Sequence, residues 1–221
     1  MKIARIVLGV LIVFLAQSSF GQSWSTYGAE TLPRSKNAIT FDIGYPWAFR
    51  GGFIMPVTNS FEVRPTLGLW YGYATVVPDV GLLASAQLKF AFFNEDKVHV
   101  AVAAEPGVAL DFYSRFRDTD QHQKSFSVGL HIGLVPFLFT YNATRDLAVH
   151  LGIRVPLAVF LGKHISTTVL IPVVFRIAVE FKLSSALSLY LGVDPGVSVA
   201  ANDGHDSKFA LIAVFGLAYR L

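Results

Sequence analysis

Apolar residues alternate with small or polar residues over most of this chain. In 187–199 every odd position is apolar, whereas Asp194 lies among the small and polar residues at the even positions. Alternation with a period of two is typical of a β-strand that has one apolar face. The sequence therefore predicts ten strands. They cover 39–47, 49–57, 61–73, 80–92, 98–112, 126–138, 147–159, 169–181, 187–199 and 209–221.

The apolar face of these predicted strands carries no charged residue. A soluble β-sandwich also alternates, but its strands average about five or six residues, whereas these run from 9 to 15. That length crosses a bilayer at a tilt. A charge facing lipid costs roughly 2–4 kcal/mol at mid-bilayer, and only a closed barrel lets strands span lipid with their backbone groups paired. The predicted fold is all-β: a transmembrane antiparallel up-and-down β-barrel of about ten strands, within a range of eight to twelve.

Short connections between the predicted strands alternate with longer or more polar ones. The short ones are 58–60, 94–97, 141–146 and 184–186, and the longer ones are 74–79, 113–124, 162–167 and 201–208. Outer-membrane barrels have short periplasmic turns and longer extracellular loops. With an even number of strands, this pattern predicts that both mature termini lie in the periplasm.

The N-terminus has the pattern of a secretory signal peptide. Lys2 and Arg5 precede an apolar stretch at 6–16, and the small residues Ser19 and Gly21 form a cleavage site. The apolar stretch is too short to span a bilayer as a helix, which needs ~20 residues. The predicted organisation is a cleaved signal peptide at 1–21, an N-terminal periplasmic lead-in at 22–37 and a barrel domain at 38–221. The lead-in has no periodicity, and the sequence leaves open that it tucks into the barrel instead.

Composition excludes several kinds of function. The chain has no cysteine, which rules out a lipoprotein anchor, disulfides and thiolate metal sites. Loss of the two basic residues of the signal leaves 16 basic and 15 acidic residues, a net charge of +1. A nucleic-acid partner is therefore not expected.

In architecture, 38–221 resembles the small outer-membrane β-barrels of Gram-negative bacteria, of the OmpA, OmpX and OmpW type. The last residues, Gly216 to Leu221, are similar to the terminal signal that the barrel-assembly machinery reads, although Leu221 stands where phenylalanine is usual. The resemblance implies an outer-membrane location, contact with outer-membrane lipid, and insertion by the barrel-assembly machinery.

Charged residues on the second face are predicted to line the lumen. They are Arg64, Lys89, Glu105, Arg154, Arg176, Glu180 and Asp194. Charges enclosed by a low-dielectric wall are costly unless they pair with one another. Two interpretations remain open: a salt-bridged plug in a structural protein, and a narrow polar pore that passes ions or small solutes.

The predicted outer loops contain acidic and histidine residues. They are Asp118, Asp120, His122, His164, Asp203, His205 and Asp206. They motivate two alternative functions, a membrane-embedded hydrolase and a surface-binding protein that acts through 113–124. No nucleophile motif or metal-ligand spacing accompanies them, so neither catalysis nor a cofactor is expected.

Overall fold

The structure, a computed structural model, describes residues 25–73, 77–112, 127–162, 165–201 and 205–221. Ten β-strands account for most of these residues. They are β1 (Ala38–Tyr45), β2 (Trp47–Pro56), β3 (Phe61–Tyr73), β4 (Val77–Glu95), β5 (Val98–Asp111), β6 (Ser127–Asn142), β7 (Leu147–Gly162), β8 (Ile165–Lys182), β9 (Leu187–Ala201) and β10 (His205–Arg220). Within these ranges, no helix is long and apolar enough to cross a membrane.

The strands form a closed antiparallel barrel. Each strand pairs with its neighbours in sequence, and β10 pairs with β1 to close the sheet. The closing seam runs from the Ala38–Arg220 pair to the Tyr45–Ala213 pair. The predicted all-β, ten-stranded, up-and-down barrel is therefore confirmed.

The two ends of the barrel differ in their connections. One end, which we call the turn end, carries the tight connections 57–60, 96–97, 143–146 and 183–186. At the opposite end, the loop end, several strands extend beyond their predicted bounds, and β10 already begins at His205. The alternation arises because one face of a strand meets the membrane and the other meets the lumen. It therefore predicts the middle of a strand better than an end that projects into water, where both faces have the same surroundings.

The two faces of the barrel wall differ sharply in exposure. Along β8, Phe175 and Ile177 point outward and are 58% and 56% exposed, whereas Arg176 and Ala178 point inward and are 8% and 3% exposed. Exposed large apolar side chains occur on all ten strands. The largest apolar patch of a soluble monomer is a few hundred Å², so an apolar surface that surrounds the whole molecule indicates contact with lipid.

The predicted alternation in 126–138 is wrong near the turn end. Pro136 and Phe137 both face outward, and Leu138 consequently faces the interior. The pairing of β6 with β7 shifts by one residue between Leu134 and Phe137. Proline cannot donate to a strand ladder, and a bulge accommodates it at the cost of one unpaired position.

Candidate functional site

The turn end of the barrel interior is occupied by residues 25–32, which we call the luminal segment. Ser25, Ala29 and Leu32 are each 0% exposed. Leu32 packs in the cluster of buried residues that includes Ala38 at the start of β1. The chain then leaves the barrel through residues 34–37, which are exposed.

Two parts of the predicted periplasmic lead-in therefore lie in different places. Residues 25–32 lie in the lumen, which is the alternative that the sequence left open. Residues 33–37 form the external link to β1, and Leu221 donates a backbone hydrogen bond to the carbonyl of Asn37 at 2.8 Å. The predicted signal peptide at 1–21 lies outside the described residues.

Glu180 on β8 binds the start of the luminal segment. Its carboxylate accepts hydrogen bonds from the hydroxyls of Ser25 at 2.6 Å and Thr26 at 3.0 Å. It also contacts Nε2 of His150 on β7 at 3.2 Å and accepts a bond from Ser188 on β9 at 2.6 Å. A carboxylate that is 0% exposed needs such donors, because an unpaired buried charge is strongly destabilising.

Lys89 on β4 binds the backbone of the same segment. Its ammonium donates to the carbonyl oxygens of Gly28 at 2.9 Å and Glu30 at 2.6 Å. It also pairs with Glu62 on β3 at 2.8 Å. Glu62 in turn accepts a hydrogen bond from the backbone amide of Leu32 at 3.0 Å. Lys89 thus binds backbone carbonyl groups of the segment, and its partner Glu62 binds a backbone amide of the same segment.

Glu30 is the charged residue of the luminal segment. It is 1% exposed and contacts Nε2 of His99 at 2.7 Å. The side-chain amide of Asn142 donates to it at 2.5 Å, and the ammonium of Lys182 lies 3.6 Å away. The carboxylate is therefore enclosed by groups from β5, β6 and β8.

A belt of arginine and aspartate side chains crosses the lumen above the luminal segment. Asp42 on β1 accepts bonds from Arg50 at 2.8 Å and Arg64 at 3.1 Å. On the other side, Asp194 on β9 pairs with Arg154 at 2.9 Å and with Arg176 at 3.4 Å. Each aspartate therefore serves two guanidinium groups, and we call these six residues the charged belt: Asp42, Arg50, Arg64, Arg154, Arg176 and Asp194.

Tyr27 connects the luminal segment to the charged belt. Its ring stacks on that of Tyr190, with 3.9 Å between the centroids, and the guanidinium of Arg64 lies 5.1 Å from the Tyr27 ring centroid. Its hydroxyl donates a hydrogen bond to Asp42. The backbone carbonyl of Tyr27 also accepts a bond from Arg176 at 3.4 Å.

Glu105 lies on β5 beside a small cavity. It accepts a hydrogen bond from Ser85 at 2.8 Å and is 4% exposed. The cavity has a volume of about 20 Å³ and is lined by Pro46, Trp47, Glu105, His131, Arg154, Pro156 and Ile212. That volume accommodates about one water molecule, so this cavity is too small for an organic solute.

An apolar layer fills the lumen toward the loop end. Trp47 and Trp70 stack with their centroids 6.3 Å apart, and Phe160 lies 5.8 Å from Trp70. These three side chains are 5%, 1% and 0% exposed. The sequence contained a signal for two of them, since Trp70 and Phe160 occupy the same face of their strands as Arg64 and Arg154. Trp47 falls on the apolar face of the predicted strand 39–47, and its inward position corrects that prediction.

The structure places all seven predicted lumen residues inside the barrel, in three different environments. Their exposed fractions run from 0% to 8%. Arg64, Arg154, Arg176 and Asp194 belong to the charged belt, Lys89 and Glu180 bind the luminal segment, and Glu105 borders the small cavity. Their role as the lining of a conducting pathway stays a prediction.

Sequence reasoning missed four residues that organise the interior. Asp42 is not among the predicted lumen residues, although it is buried on the inward face of β1 and is bonded to two arginines. Arg50 lies in the predicted strand 49–57, where Gly51, Gly52 and Pro56 weaken the alternation, beside a register shift between Trp47 and Phe49. Tyr27 lies in a stretch without periodicity, and Tyr190 was indistinguishable from other inward residues.

The rim residues of the alternative functions fall mostly outside the described residues. Asp118, Asp120, His122, His164 and Asp203 lie there, as does 113–124, whereas His205 and Asp206 belong to β10. In the described ranges, no group of three or more acidic or histidine side chains is arranged to hold a metal ion.

A closed antiparallel barrel with an apolar exterior and a charged interior is the architecture of outer-membrane β-barrel proteins. The architectural resemblance inferred from the sequence is confirmed by the barrel itself. No protein-family model matches the chain, and a search of curated proteins finds no match.

The solved structures that are similar to this chain include the following two. One is the N-terminal β-barrel domain of Pseudomonas aeruginosa OprF, at 10% identity and a TM-score of 0.34, over 84% of this chain and 96% of that chain. The other is the translocator domain of the autotransporter NalP from Neisseria meningitidis, at 12% identity and a TM-score of 0.46, over 100% of this chain and 95% of that chain.

Proposed function

We propose that this protein is an integral outer-membrane β-barrel protein with a closed lumen and a structural role in the membrane. The observation that supports closure is the burial of inward side chains at three successive levels. Trp70 in the apolar layer is 1% exposed, Asp194 in the charged belt is 2% exposed, and Lys89 at the luminal segment is 2% exposed. A water-filled passage would expose the side chains that line it.

The outer membrane is proposed as the location because the exterior suits lipid and the wall is a closed sheet. In this orientation the turn end, where β1 begins and β10 ends, faces the periplasm, and both mature termini are proposed to lie on that side. Outer-membrane lipid would contact the outward side chains, and Gly216 to Leu221 would be read by the barrel-assembly machinery during insertion. The two rim-based alternatives, a hydrolase and a surface-binding protein, stay predictions.

Conductance in planar bilayers distinguishes a structural barrel from a passive pore. We expect the folded wild-type protein to give no discrete current steps, because paired charges and the luminal segment fill the interior. An established porin, reconstituted in the same way, serves as the control for insertion. Stepwise currents whose size changes in Glu105→Ala or Arg154→Ala would instead identify a narrow pore lined by these residues.

A further inference from the structure

We propose that the turn-end half of the lumen is a peptide-binding site. Its ligand in this structure is the luminal segment of the same chain. The ligand class is a short peptide containing an aromatic residue, glycine, a small residue and an acid in succession, entering from the turn end. This inference depends on the geometry of the interior and does not require a structural role for the barrel.

The barrel binds the backbone of the luminal segment through side chains. Lys89 donates to the carbonyls of Gly28 and Glu30. Glu62 accepts from the amide of Leu32 at 3.0 Å, and the Thr140 hydroxyl accepts from the amide of Ala29 at 2.7 Å. The strands begin only at residue 38, so the segment is held as a bound peptide and not as an additional strand.

Two side chains of the segment occupy chemically distinct subsites. The Tyr27 ring lies on Tyr190 at 3.9 Å, and its hydroxyl bonds Asp42. The Glu30 carboxylate is enclosed by His99 at 2.7 Å and Asn142 at 2.5 Å. The first subsite selects an aromatic residue with a hydroxyl, and the second selects an acid.

Between these subsites the site is shaped for glycine. A Cβ atom at residue 28 would lie 2.3 Å from the Thr140 hydroxyl oxygen and 2.4 Å from the His150 ring. Neither neighbour is free to move away, because Thr140 Oγ1 bonds His150 Nδ1 at 2.9 Å and His150 also contacts Glu180. Ala29 is 0% exposed, so a small residue must follow the glycine.

The link from the segment to β1 contributes little to these contacts. Residues 34–37 are exposed, and the contacts that form the two subsites and bind the segment backbone all involve residues 25–32. Cutting this link should therefore leave a non-covalent complex of peptide and barrel.

The test uses a chain that begins at Gln22 and carries a site-specific protease sequence inserted after Ser35. After folding in detergent and cleavage, we expect the peptide to remain with the barrel in gel filtration. A labelled synthetic peptide of residues 22–35 should exchange into the site and bind saturably by fluorescence anisotropy. The Gly28→Val peptide should bind on the order of a hundredfold more weakly, because its side chain overlaps Thr140 and His150. A Ser35→Ala peptide, altered only in the exposed link, should bind like the wild type.

A second measurement covers the case in which the cleaved peptide does not exchange. A barrel that lacks residues 22–32 is refolded with and without the labelled peptide. Recovery of a folded barrel with bound wild-type peptide, and not with the Gly28→Val peptide, supports the proposal. Equal binding of both peptides, or a folded barrel that binds neither, would overturn it and leave the segment as a tethered filler.

Discussion

Replacing Asp194 with alanine is expected to lower the free energy of unfolding by about 3–5 kcal/mol. Asp194 is 2% exposed and is the shared partner of Arg154 and Arg176, at 2.9 and 3.4 Å. Its loss leaves guanidinium groups buried beside the remaining belt without their carboxylate. Urea unfolding of the protein reconstituted in lipid vesicles measures the change.

Two controls separate the loss of charge pairing from other effects of the Asp194 substitution. Asp96→Ala removes a carboxylate from an exposed turn and should change stability little. Combining Asp194→Leu with Arg154→Met and Arg176→Met should recover much of the stability, because a buried ion cluster can be replaced by apolar side chains of similar volume. A loss of less than about 1 kcal/mol for Asp194→Ala would mean that the arginines reach water, which contradicts a closed lumen.

Replacing Ile177 with arginine is expected to destabilise the barrel in a bilayer, lowering the free energy of unfolding by roughly 2–4 kcal/mol. Ile177 points outward from β8, is 56% exposed, and pairs with Leu151 and Val193 on the adjacent strands. An arginine at this height must either enter hydrocarbon or distort the surrounding lipid. Equilibrium folding into vesicles, followed by tryptophan fluorescence, reports the difference.

The controls for this substitution keep either the position or the charge. Ile177→Ala removes the side chain without adding charge, and Ser35→Arg adds the charge at the exposed link. Both should cost far less than Ile177→Arg. An equal cost for Ile177→Ala and Ile177→Arg would show that the outward face of β8 does not contact lipid.

The fold could be predicted from the sequence because the two faces of each strand have different surroundings, an apolar exterior and a polar interior. Along β8 the alternation assigned Phe175 and Ile177 to the exterior and Arg176 to the interior, and the exposed fractions agree. The prediction failed at Phe137 and Leu138, where a bulge next to Pro136 reverses the faces of the residues that follow. Alternation carries no information about such an insertion.

The site was less predictable because its partners are distant in sequence. Inward residues such as Arg154 and Asp194 could be recognised individually from their face. The luminal segment has no periodicity, and nothing in residues 25–32 alone indicates that Tyr27 meets Asp42 or that Glu30 meets His99. These contacts depend on the position of the segment inside a barrel that the rest of the sequence forms.

The most direct test of the account measures which strand face touches hydrocarbon. The chain has no cysteine, so single nitroxide labels can be attached at cysteines replacing Val173, Phe175 and Ile177 in vesicle-reconstituted protein. A label at Ser35 provides the aqueous reference. We predict that the three outward labels collide readily with dissolved oxygen and are protected from a water-soluble nickel chelate. Nickel accessibility at these positions equal to that at Ser35 would contradict a barrel whose exterior faces lipid.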